Sequence, residues 1–204
     1  MDEHVLVTTR RSLHAVAEQV LAGPQYRATG SIRLTVLPGG FGQVEGPLRV
    51  QGVALVSGTS RVPLTGTPAE LAAAVGVTAA APDNYGEHAE FEPGEELAVD
   101  PAAAELLESW FEIGDAALRE LAPDVERVLW PEHFDVGIEL DEVNYGVSPG
   151  DSAHQRPYAY VGPWTPREGE FWNAPFGAMR PADELRDAAA VAAFFAEGRR
   201  LARL

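Results

Sequence analysis

A chain of 204 residues, 46% of them hydrophobic, is long enough to bury a core without covalent staples. It has no cysteine, which excludes disulfides, thiolate zinc sites, iron–sulfur clusters and cysteine nucleophiles; all fifteen basic residues are arginine, which excludes a Schiff-base lysine, a pyridoxal phosphate anchor and a lysine-bearing nucleotide phosphate loop. The net charge of -16 is concentrated in residues 83–126, where one arginine faces fourteen acids, so a polyanionic partner such as nucleic acid or an anionic membrane is disfavoured.

The acidic start Met1-Asp2-Glu3-His4 and the short apolar run Val5-Leu6-Val7 lack the layout of a secretory signal, which predicts a cytoplasmic protein. The most apolar stretch, Leu71 to Ala81, is too short to span a bilayer, which takes about 20 apolar residues.

Apolar positions Leu13, Val16, Ala17, Val20 and Leu21 share one helix face, predicting a first amphipathic helix over 9–21 that Gly23-Pro24 stops. Residues 29–37 and 48–56 read as two antiparallel strands joined by a glycine-rich segment longer than a tight hairpin, with Arg61 to Leu64 extending the pair. Thr67-Pro68-Ala69-Glu70 is a capping box that opens a short helix ending at Gly76. Residues 77–99 read as an acidic loop, and Asp100-Pro101 opens a longer amphipathic helix to about Leu121. Strands are predicted at 127–130, 134–140 and 157–162, with a loop over 141–156, and Asp187 starts a C-terminal helix carrying Val191, Phe194, Phe195 and Leu201. The fold class this predicts is α+β, a mostly antiparallel bent sheet packed by three main helices, in a single domain over 1–204.

Eight of the seventeen aromatic residues fall between Trp130 and Trp172, so chemistry is sought there first. As a strand, the segment after Trp130 places Phe134, Val136, Ile138 and Leu140 on one face, and His133, Asp135, Glu139 and Asp141 on the other, with Gly137 leaving a gap for a ligand. His133 beside Asp135 and Glu139 could serve as a general acid or base, or as part of a metal site completed by Asp151 or His154. An alternating strand with one polar face is equally what any half-exposed antiparallel strand looks like.

Trp130, Tyr145, Trp164, Trp172, Asn173 and Arg180 could instead line an aromatic pocket for a planar or carboxylate-bearing small molecule, with His133 and Arg180 as polar anchors. The same aromatics would also serve to anchor a coil-like segment to the core. Gly146 to Gly150 match the G-x-S-x-G pattern, but Pro149 has no N–H for an oxyanion hole, and Ser148-Pro149-Gly150-Asp151 reads better as a turn. The function favoured is small-molecule binding, the alternative being an enzyme built on His133. The ligand, any cofactor, metal dependence and oligomeric state stay open.

Trp130-Pro131-x-His133-Phe134-Asp135, then Gly169-Glu170-Phe171, Met179-Arg180 and an Ala-rich closing helix, resemble a broad family of uncharacterised bacterial, largely actinobacterial, proteins. The likeness covers mainly residues 127–200. It implies a shared fold and carries over no catalytic residue.

Overall fold

A computed structural model describes residues 1–86, 88–92 and 94–203. The fold is α+β, and every registered strand pair is antiparallel. The chain gathers into two compact units, the first comprising residues 1–109 and 129–134, the second residues 110–128 and 135–204. No helix among the described residues is long and apolar enough to cross a membrane.

In the first unit, α1 (Glu3–Ala15) is capped by Asp2, whose side chain accepts from the His4 amide. It continues without a break into a π-helical segment, Val16–Ala22, and then α2 (Gly23–Thr29). Gly23-Pro24 therefore does not stop the helix. Proline at 24 has no N–H to give the Gln19 carbonyl one π-turn earlier, and that carbonyl accepts from the Ala80 amide instead at 3.0 Å; the glycine is needed because a side chain at position 23 would land on the Ala80 carbonyl. Gly30, at φ 80, provides the stop.

The strands β1 (Leu34–Leu37), β2 (Gly40–Gln43), β3 (Leu48–Gln51), β4 (Ala54–Ser57) and β5 (Ser60–Pro63) follow as a meander, with β6 (Val128–Trp130) beside β1 through Leu34 and Leu129. The glycine-rich joining segment is thus itself a strand, paired on both sides, and the apolar run 48–56 is broken by a turn at Gly52, φ 56. α3 (Pro68–Ala74) carries the complete capping box, and α4 (Pro101–Leu121) starts where Asp100 Oδ1 accepts from the amides of Ala102 and Ala103.

In the second unit the order is β10-β9-β8-β7, comprising β7 (Asp135–Leu140), β8 (Val143–Ser148), β9 (Tyr158–Pro163) and β10 (Ala178–Pro181). The segment expected as loop after Leu140 holds β8, reached by a two-residue turn with both Asp141 (φ 56) and Glu142 (φ 60) left-handed. Alternation gives this sheet two unlike faces. Val136, Ile138, Val143, Tyr145, Val147 and Val161 are buried on one, which receives Val191, Phe194 and Phe195 of α5 (Ala188–Ala202). The second half of α4 also lies there, with Gly114 so close to Val147 that a Cβ would overlap its side chain.

Candidate functional site

The opposite face of the second sheet carries Asp135, Gly137 and Glu139 on β7, Gly146 and Ser148 on β8, and Tyr158 and Tyr160 on β9. Gly137 pairs with Gly146, and Gly146 with Tyr160. Across that glycine pair lies the Tyr160 phenol, whose hydroxyl donates to Asp135 Oδ2. A Cβ on Gly137 would stand 2.9 Å from the phenol oxygen, and one on Gly146 would overlap it. The gap expected at Gly137 is therefore present, and the chain's own tyrosine fills it. Burial, reinforced by the Asp135 carboxylate, raises the Tyr160 phenol well above its ordinary range, so it remains a donor.

Tyr158 is tied in the same way. Its hydroxyl donates to Asp151 Oδ2 at 2.6 Å, while Asp151 Oδ1 accepts from the amides of Ala153 and His154 at 2.7 Å each. Burial, followed by the hydrogen bond to Asp151, pushes this phenol up too. The His154 ring meets Tyr158 edge-on at 5.4 Å. Over both tyrosines lies Phe176, stacked on Tyr158 at 6.4 Å and edge-on to Tyr160 at 6.5 Å, with 46% of its surface exposed. Ser148 of the G-x-S-x-G match is buried; its hydroxyl accepts from the Gly150 amide, and its carbonyl accepts from the Trp110 indole. Gly150 adopts φ 101, as the turn requires.

The residues expected to line one pocket divide between packing towards α5 and lying apart from it. Tyr145 is fully buried on the helix-covered face against Phe195. Trp172 packs on Phe171, and Phe171 on Phe194 of α5. Arg180 places its guanidinium over Phe194 at 5.7 Å, and Asn173 clamps the amide and carbonyl of Met179. This set fastens an irregular segment to α5. Trp164 is 58% exposed, and Trp130 belongs to the first unit.

His133 lies in a turn, exposed, rather than on the strand, which begins at Asp135; Glu139 is exposed opposite Asn144. The Trp-Pro-x-His-Phe-Asp motif uses its other members as anchors. His14 Nε2 lies 2.7 Å from the Pro131 carbonyl oxygen, and its ring stacks on Phe134 at 5.4 Å, almost parallel. Phe134 has a left-handed backbone (φ 53) and is held between His14 and Phe41. Burial lowers the His14 pKa, so His14 is the neutral donor. Among the described residues, no group of three or more His, Asp or Glu is placed to hold a metal ion.

One constellation left no trace in the motif reading. Glu18, in the π-helical segment, has a side chain only 1% exposed, and its carboxylate gathers three donors from one stretch of the acidic loop. The Tyr85 hydroxyl and His88 Nδ1 reach Oε1 at 3.2 and 2.7 Å, and the Ala89 amide reaches Oε2 at 3.0 Å. A glutamate inside a helix gives no hint of such partners.

Comparison of the chain with models of known protein families, with curated proteins and with solved structures finds no match.

Proposed function

We propose that this is a cytoplasmic small-molecule-binding protein that holds a flat, ring-bearing ligand against the Phe176–Tyr158–Tyr160 cluster of the second unit. The observation that carries the reading is the half-exposed Phe176 ring seated on two tyrosines whose hydroxyls are already locked by Asp151 and Asp135. An aromatic surface ordered before the ligand arrives loses little conformational entropy on binding, which favours affinity. The flanking carboxylates select neutral or cationic rings over anions. Arg180, engaged with Phe194 on the other sheet face, is left out of the contact.

The test is a thermal-shift screen against planar aromatic metabolites, since a ligand that favours the native state raises the melting temperature by mass action. At a hundredfold excess over Kd the stabilisation is about 2.7 kcal/mol. The shift should vanish in Phe176→Ala. A screen without any shift, or a shift retained in Phe176→Ala, overturns the reading.

A further inference from the structure

We propose that Glu18 and His88 form a proton-transfer dyad, with His88 Nε2 as a general base that draws a proton from a water attacking a neutral or cationic acyl ester. This site lies in the first unit and is independent of the aromatic face of the second.

The geometry fixes the tautomer. A carboxylate can only accept, so at 2.7 Å from Glu18 Oε1 the Nδ1 of His88 must be the donor. In the neutral ring the lone pair then sits on Nε2, which makes no hydrogen bond among the described residues, and the side chain is 42% exposed. A buried acid orienting a half-exposed imidazole through Nδ1 is the relation that prepares a histidine to take a proton at its other nitrogen. A structural ion pair on a surface loop would not need a carboxylate withdrawn from water to 1% exposure and supplied with two further donors. Glu18 also lies on a π-helical turn, an irregularity concentrated at functional sites.

The surroundings bear on the substrate. Tyr85 lies beside the imidazole, ring centroids 5.2 Å apart, and gives an apolar wall. Burial and the Glu18 charge raise its phenol, so it stays a donor to Glu18. Among the described residues, Glu132 also acts on Tyr85, and the Glu18 carboxylate acts on the neutral His14. Residues 83–126 carry a net charge of -13, which repels an anionic substrate. In the reaction the water oxygen bonds to the ester carbonyl carbon as its proton passes to Nε2; the carbon–oxygen bond to the leaving group breaks, and the proton on Nε2 passes to the departing oxygen. His88 is the catalytic residue and Glu18 a positioning residue.

Two measurements test the dyad. Long-range proton–nitrogen NMR of the wild-type chain at pH 8 should find His88 protonated on Nδ1 and bare on Nε2, whereas Glu18→Gln should shift the ring towards the Nε2–H form common in free imidazole. Hydrolysis of p-nitrophenyl acetate should fall about a hundredfold in His88→Gln, the scale of general-base catalysis, measured at a temperature where a melting curve shows the variant folded. An Nε2–H tautomer in the wild type, or hydrolysis unaffected by His88→Gln, overturns the proposal. The wild-type spectrum decides the tautomer even if Glu18→Gln does not fold.

Discussion

Both units bury a carboxylate, and they engage it by opposite means. Asp135 on β7 receives a phenol from a strand two positions across the sheet, in a register fixed by paired glycines. Glu18, on a helix, receives a hydroxyl, an imidazole and an amide from Tyr85, His88 and Ala89, which lie outside every helix and strand. The strand solution immobilises every atom it uses. The loop solution leaves a titratable nitrogen over, so the less regular region is where reactivity is sought and the regular one is where a ligand finds a rigid wall.

Overfilling the strand solution should have the largest effect. Gly146→Ala drives a methyl into the Tyr160 hydroxyl and up to the Val136 carbonyl, so a loss of about 3 kcal/mol is expected in urea unfolding. Glu18→Ala strips three donors of their acceptor, two of them half-open to water, and should cost about 2 kcal/mol. Its hydrogen exchange should rise over 85–98 while β7–β9 stay protected. Tyr160→Phe removes one donor and keeps the ring, for about 1.5 kcal/mol. If Glu18→Ala loosened the sheet as much as Gly146→Ala does, the contrast between the two regions would fail.

His14 sharpens the comparison through pH. Its folded-state pKa lies below the ordinary 6.5 because burial disfavours the imidazolium. The unfolded chain therefore binds the proton first, and the contribution of His14 to stability, complete above pH 6.5, is lost as pH falls from 6.5 through the folded value. Unfolding midpoints at pH 7.5 and 5.5 should drop more for the wild type than for His14→Phe. The smallest effect is expected at Phe176→Ala, within about 0.5 kcal/mol for a ring so exposed, so lost binding there cannot be ascribed to unfolding.

The parts legible in the sequence were those written in local chemistry. Thr67 and Asp100 announce α3 and α4 because a cap is a contact between residues three apart. The Gly40–Gln43 strand was not legible, since glycines that read as turn residues are there to let neighbouring chains approach. Nor was the continuation through Gly23-Pro24, which depends on Ala80 lying against the helix. At the candidate sites, the polar face of β7 and its glycine gap could be read from alternation. That Tyr160 fills the gap could not, because its partners lie 14 to 25 residues away. Likewise the 70 residues separating Glu18 from His88 leave no spacing to recognise.

The turn joining β7 to β8 bends through two consecutive left-handed residues, neither of them glycine or asparagine. Each such residue costs roughly 1 kcal/mol that glycine would not. Glu142 is exposed, and its carbonyl accepts the Trp164 amide whatever its side chain. Relieving that cost by Glu142→Gly should harden the chain to heat without touching either face of the sheet.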